Sequence, residues 1–374
     1  MIPVKPNRAA RPQPGLPSVR RRSRALATGL ALLLAAPGVL PAKEKVNVSP
    51  ASGSLHALRF PGNNPATGLA YNASGVVTLP DGRALFVDNR CSRALYAFSL
   101  SGDLRLSGSI RPLKLDLSGP PPEDLEGLTL VRGGDRPVLV GVCSQSIKRK
   151  SKTSRAARGS LVRMEVDGDR VRAESMPGFR DWLVRNVSRL TPIADLADNR
   201  GGINVEGLAW DPRRNALVLG FRNPLAEGRP MLLPVRVKDW SGDWTPDNLE
   251  AGEPIRLNVA GGEGGLGVRG IEYDSAHGNF PLILGDASRS GKAPFRLAVW
   301  DGGDAGRATL VPGVSFAPGM KPESLSRTVI GGRGCLLIVD DGGGCLVIPE
   351  KPQTAAGRPA GKPARRPPAP RHPD

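Results

Sequence analysis

Histidine is almost missing from this chain: His56, His277 and His372 are the only three in 374 residues. A zinc hydrolase built on imidazoles has too few ligands. A Ser-His-Asp triad would have to use His56 or His277, which both read as turn residues, and no G-x-S-x-G elbow is present. Cysteine is also scarce. Cys91, Cys143, Cys335 and Cys345 form no C-x-x-C pair, which argues against a zinc ribbon. Aromatics number only sixteen, and no apolar run reaches the ~20 residues a membrane-spanning helix needs. Glycine (47) and proline (37) are abundant instead. That balance excludes a helical bundle, a coiled coil and a polytopic membrane protein, and favours short strands joined by turns.

The net charge of +17 resembles a nucleic-acid footprint, but its distribution does not. Residues 1–42 carry seven Lys/Arg and no acid, and residues 351–374 carry six against one Asp. Six more bases crowd into Lys148–Arg158, and the remainder of the body is near neutral at −1. No basic face for DNA or RNA remains, and the basic run has no interleaved aromatics for base stacking. It reads as a solvated loop, with an anion-contacting arm as the alternative.

The ends are expected to lie outside the fold. Arg20, Arg21, Arg22 and Arg24 precede the apolar run Ala25–Leu40, and Leu40-Pro41-Ala42 follows as a cleavage site. This is the layout of a signal peptide over residues 1–42, so the mature protein is expected to be periplasmic or secreted, without a transmembrane segment. Residues 351–374, basic and rich in Pro and Ala, predict a disordered tail able to touch an anionic envelope polymer. Cys91 and Cys143 occupy similar places in adjacent repeats, which makes them the favoured disulfide pair in an oxidising compartment.

Comparing the body with itself reveals a repeat. The segments are SGVVTLPDGRALFVDN from Ser74, EGLTLVRGGDRPVLVGVCS from Glu126, EGLAWDPRRNALVLGFR from Glu206, RGIEYDSAHGNFPLILGD from Arg269 and ESLSRTVIGGRGCLLIVDD from Glu323. Each opens on a polar residue, then Gly or Ser, then an aliphatic. Each runs through a strand, a polar turn and a second apolar strand. Two further strand-like runs follow every unit but the last. The prediction is an all-β fold, a β-propeller of about five four-stranded blades with room for a sixth, over residues 43–350. A strand near Leu55–Phe60 would complete the last blade. Phe179, Trp182, Leu183, Val187 and Leu190 recur at helical spacing and predict one inserted amphipathic helix.

The run Ile203–Val237, INVEGLAWDPRRNALVLGFRNPLAEGRPMLLPVRV, resembles the signature of a bacterial family, domain of unknown function 3616. The linked spacing E-G-L, then L-G-x-R-x-P-L, carries the resemblance, and DLEGLTLV and PESL…LLIVDDGG extend it over residues 70–348. The family is similar to esterase-like phytase domains, so the resemblance implies a propeller and leaves activity open. Arg269 departs from the pattern, standing where Glu is expected.

In an antiparallel hairpin the first strand begins where the second ends, so the repeat-opening residues should converge on one mouth of the channel. Glu126, Glu206, Arg269 and Glu323 are placed there, with Asp88, Arg222, Asp286, Arg289, Asp340 and Asp341 nearby. One expectation is structural, each Glu locking blades through an Arg. The functional one is a binding site formed by Glu126, Glu206, Arg222, Arg269, Asp286, Arg289 and Glu323. It would hold a small anionic or polar ligand, or a partner's loop, on a monomer. The alternative is a phytase-like phosphoester hydrolase, with Glu126, Glu206, Glu323, Asp340 and Asp341 holding Ca²⁺.

Overall fold

The computed structural model describes residues 55–131, 138–147, 155–288 and 293–350. The expected signal peptide, the C-terminal tail, Arg289 and residues 148–154 of the basic run lie outside the described residues. Every described strand belongs to one of five antiparallel groups. The first runs Ala73–Thr78, Ala84–Asp88, Cys91–Leu100 and Leu106–Ser118, and the second Leu125–Val131, Val138–Cys143, Leu161–Asp167 and Arg170–Met176. These two share an eight-stranded sheet, because Leu115–Ser118 pairs in parallel with Val171–Glu174. The third holds Asn204–Asp211, Ala216–Ala226 and Arg229–Val237, edged by Leu249–Ala251 and Ile255–Arg256. The fourth holds Leu266–Ile271, Phe280–Asp286, Arg296–Trp300 and Arg307–Leu310, with Asn258–Ala260 added in parallel.

The fifth group explains how the ring closes. Pro322–Ile330, Arg333–Asp340 and Gly344–Pro349 come from the C-terminal end, and the N-terminal strand His56–Arg59 pairs antiparallel with the last of them, His56 opposite Val347. The expectation from Leu55–Phe60 holds. Closure covers an edge that would otherwise offer unpaired backbone groups to a second chain.

Apolar burial follows the same order. Five hydrophobic clusters lie between successive groups; one joins Val77, Leu85 and Leu95 to Leu128, Leu139 and Met164. The last links Ile283, Leu297 and Val299 to Leu325, Ile338 and Leu346. The fold is therefore a β-propeller, in which the two faces of each group are covered by its two neighbours.

The repeated glycine has a physical reason. Around the axis the first strands approach so closely that a Cβ on Gly75 would lie 2.7 Å from the Leu128 nitrogen, and one on Gly127 2.8 Å from Leu208 Cβ. On Gly270 it would lie 2.7 Å from the Glu323 carbonyl oxygen. Where the fifth repeat has Ser324 instead, its Oγ accepts the Val76 N–H at 3.2 Å, joining the last first-strand to the first.

The inserted helix is shorter than its pattern. Phe179–Asn186 is α-helical, Val187 is extended and Ser188–Ile193 continues as a 3₁₀ turn containing Pro192. All five patterned residues are nonetheless buried between the second and third groups. The α-helix stops where Val187 turns extended, and Pro192, with no N–H to donate, keeps the next turn from being α-helical.

All four cysteines are free thiols, which corrects the expected Cys91–Cys143 disulfide. Similar sequence positions put these residues on neighbouring blades, not within bonding reach. Cys143 is fully buried with its thiol pKa pushed up, first by burial and then by Asp124.

Candidate ligand-binding mouth

Each first strand carries a register irregularity at the same place. Pairing skips from Ala73 to Val76, Leu125 to Gly127, Val205 to Gly207, Val268 to Gly270 and Pro322 to Ser324. The residues passed over are the repeat openers Ser74 (with Gly75), Glu126, Glu206, Arg269 and Glu323. A β-bulge frees one residue from the ladder and re-aims its side chain. Five bulges at one level thus place one hydroxyl, three carboxylates and one guanidinium around the axis.

Arg269 is the hub of this ring. It lies only 7 % exposed and clamps Glu323 through Nε, at 2.9 Å from Oε2, and through Nη2. The same Nε lies 2.8 Å from Glu206 Oε2, an ion pair whose angle is not that of a hydrogen bond. Glu206 is held further by Asn204 Nδ2 at 2.8 Å and Arg222 Nη1 at 3.2 Å. Arg222 and Asn223 also bind the next blade, donating to the carbonyls of Asp286 at 3.1 Å and Ala287 at 2.7 Å. Glu206 thus pairs with Arg222 of its own hairpin. Arg269 turns across blades to Glu206 and Glu323. Flanked by two carboxylates, the guanidinium stays charged, and their pull outweighs the burial that would lower its pKa.

Glu126 is different. Among the described residues no hydrogen bond or ion pair holds it, and its carboxyl pKa is pushed well up, by burial first and then by Asp124, Glu206 and Glu323. Glu323 is pushed up to about 8 because burial outweighs the pull of Arg269. These directions mean that the ring has more carboxylate than guanidinium charge to balance it. We place the proton on Glu126, the member without a partner, since Arg269 grips Glu323 with both carboxylate oxygens.

The remaining expected residues split into two sets. Asp88 and Asp340 serve the backbone: Asp88 accepts from Asn64 Nδ2 at 2.6 Å and the N–H groups of Asn72 at 3.1 Å and Arg90 at 3.0 Å. Asp340 accepts the N–H groups of Lys321 at 2.7 Å and Gly342 at 2.6 Å. Asp341 reaches Lys321 Nζ at 3.4 Å, and Asp286 takes the N–H and hydroxyl of Ser288. Asp286, Ser288, Asn223, Asp198 and Asn199 line a polar cleft of about 450 Å³ beside the ring, between the third and fourth groups.

Sequence reasoning missed the polar residues of the first two blades. Ser74 opens the first repeat, and its alignment with four charged openers was the available signal. Ser144, Gln145 and Ser146 end the second strand of blade two, where blade three has Arg222. Buried Arg158 joins them, with Nη1 at 2.9 Å from Ser146 Oγ and a contact to Asp124. Among the described residues, eight buried side-chain atoms lack a hydrogen-bond partner within the protein. Six belong to the mouth end: Asn72 Oδ1, Ser74 Oγ, Gln145 Oε1, Arg158 Nε, Glu206 Oε2 and Asp341 Oδ1. Buried polar groups are normally satisfied, so such a concentration marks a place built for something besides the chain itself.

Calcium does not fit this ring. Arg269 already stands between Glu206 and Glu323, and both Asp340 oxygens are taken by backbone N–H groups. Among the described residues, three metal-ligand atoms come within 4.8 Å of one another at Asp274, His277 and Glu350, toward the opposite end. There, too, an arginine is the resident cation: Arg327 Nη1 contacts Glu350 and lies 3.0 Å from Asp274 Oδ2 and 3.2 Å from His277 Nδ1.

Fold and site together define a β-propeller with a polar, carboxylate-rich axial mouth. No family model and no curated sequence matches the chain. Solved structures similar in fold include a putative glucose dehydrogenase of Thermus thermophilus, 13 % identical, TM-score 0.38, covering 79 % of this chain and 100 % of that one. The PQQ-bound aldose sugar dehydrogenase of Streptomyces coelicolor is also 13 % identical, TM-score 0.38, with 81 % and 99 % covered. A streptogramin B lyase is 9 % identical, TM-score 0.35, with 79 % and 98 % covered. These likenesses concern the fold alone. No helix among the described residues is long and apolar enough to cross a membrane.

Proposed function

We propose that this is an exported, monomeric propeller protein of the cell envelope that binds a small polar ligand, or a partner's loop, at the axial mouth. The observation that carries the reading is the set of five aligned bulges, which spend ladder pairing to turn Ser74, Glu126, Glu206, Arg269 and Glu323 to the axis. A purely structural ring would leave no carboxyl without a partner, and Glu126 has none among the described residues. Membership of domain of unknown function 3616 belongs to the same proposal. Its support is that three motif residues have tasks here: Glu206 in the ring, Gly207 at a strand contact and Arg222 binding the next blade. The calcium-dependent hydrolase reading is not carried forward, because the ring holds an arginine where a metal would sit.

The test is a thermal-shift screen of polar metabolites against the wild-type protein and Glu126→Gln. A compound that stabilises the wild type and loses its effect in the variant supports the mouth as the site. Hits that shift both proteins equally place binding elsewhere and refute the reading.

A further inference from the structure

The unpartnered atoms of the mouth are unequal in kind. Asn72 Oδ1, Gln145 Oε1 and Asp341 Oδ1 are acceptors, as is Glu206 Oε2 beyond its ion pair with Arg269, whereas Arg158 Nε is a lone donor and Ser74 Oγ can be either. The positive groups are already spent: Arg222 on Glu206 and the Asp286 carbonyl, Arg269 on Glu206 and Glu323. An anionic ligand would find neither ring guanidinium free, whereas a cationic group could take the place of the proton on Glu126 and pair with its carboxylate. This reverses the charge expected of the ligand from the sequence, where Arg222 and Arg269 were counted as available.

Ser74 supplies an independent observation. It is 1 % exposed, its hydroxyl has no partner, and it holds the bulge position next to Glu126, since Gly75 lies against Gly127. A hydroxyl and a carboxylate on adjoining bulges, neither engaged by a described residue, form two acceptors for one multi-donor group. An ammonium offers three N–H donors and a positive charge. A divalent metal would demand several converging oxygens, which the ring does not bring together.

We infer that the ligand presents a cationic amine to the mouth, seated between Ser74 and Glu126. This rests on the binding reading above and deepens it. The amine's charge balances the third carboxylate, as Arg222 and Arg269 balance the other two.

The experiment is isothermal titration of the full chain with three probes of equal length: putrescine, 1,4-butanediol and succinate. Putrescine is expected to bind, with butanediol and succinate at least about tenfold weaker. Glu126→Gln should cost putrescine about tenfold in affinity, the loss of one charge-assisted hydrogen bond. Ser74→Ala, read alongside, should weaken it less while leaving the ring charge intact. Melting curves of both variants check that they fold. Putrescine binding that Glu126→Gln leaves unchanged overturns the inference. If succinate or butanediol binds better and depends on Glu126, the mouth reading survives and the cationic one fails. If none of the three binds, the amine inference is overturned, and the metabolite screen then decides separately on the mouth.

Discussion

Arg269→Met removes the one cation that the ring shares between two carboxylates while keeping most of the side chain's length. Glu206 retains Asn204 and Arg222 on Oε1, so the loss falls on Glu323 and on Glu206 Oε2. Breaking a buried ion pair by deleting one partner costs about 3–5 kcal/mol, because the remaining charge is left desolvated. For a domain of this size, at about 2 °C per kcal/mol, the melting temperature should fall by about 6–10 °C near pH 8. The sign with pH follows from Glu323. Burial raises the folded pKa values of Glu126 and of Glu323, the latter to about 8 against the ordinary 4.5, so between those values the native ring as a whole holds a proton that the unfolded chain has released. The stability tied to that proton is present below pH 4.5 and lost as pH rises through 8. Without Arg269 this dependence steepens, and the variant should recover much of the deficit at pH 5, where Glu323 can be neutral. Arg269→Met/Glu323→Gln should recover a similar part at pH 8. The assay is thermal unfolding of all three proteins at pH 5 and 8. A deficit equally large at both pH values, with no rescue by the second substitution, would refute the electrostatic account. It would leave Arg269 acting by packing, through its stack at 5.7 Å on Phe295.

Further outcomes follow from the ring and its closure. Gly270→Ala should cost about 1–3 kcal/mol in urea unfolding, because its Cβ would meet the Glu323 carbonyl at 2.7 Å and backbone cannot swing aside; an unchanged midpoint would refute the close approach. Phe60→Ala should cost about 3–5 kcal/mol, since Phe60 stacks on Phe86 at 5.0 Å and anchors the closing strand. Its unfolding midpoint in urea checks this, and a small loss would mean that the N-terminal strand is dispensable. In the native protein, thiol titration should detect Cys91 at most. Cys143, Cys335 and Cys345 are buried, and Cys345's pKa is pushed up to about 12 by burial. All four should titrate in denaturant without reductant, and a missing pair would restore a disulfide.

Much of the architecture was readable along the chain because propeller geometry writes itself into a period. Each repeat must open on a residue for the mouth, place a small residue where first strands touch, then alternate turn and strand. Glu126, Glu206, Arg269 and Glu323 could therefore be placed at one end from the repeat alone. The closing strand was readable for the same reason: the last repeat lacks a strand, and an unmatched one lies at the other terminus. The helix over Phe179–Asn186 showed in its apolar spacing, although Pro192 altered its second half.

What the tertiary structure alone decided is how those residues share their charge. Glu206 and Arg269 are 63 positions apart and Arg269 and Glu323 are 54, separations at which sequence pattern carries no distance information. A repeat says that openers meet but not who pairs with whom. Pairing depends on ångström-scale differences among side chains that the bulges aim at one axis. Arg269 could have neutralised Asp286 on its own hairpin; it spans two blades instead, and Glu126 is the carboxylate left over. The same limit explains the thiols: equivalent places in adjacent blades are neighbours around a ring, and neighbours around a ring need not touch.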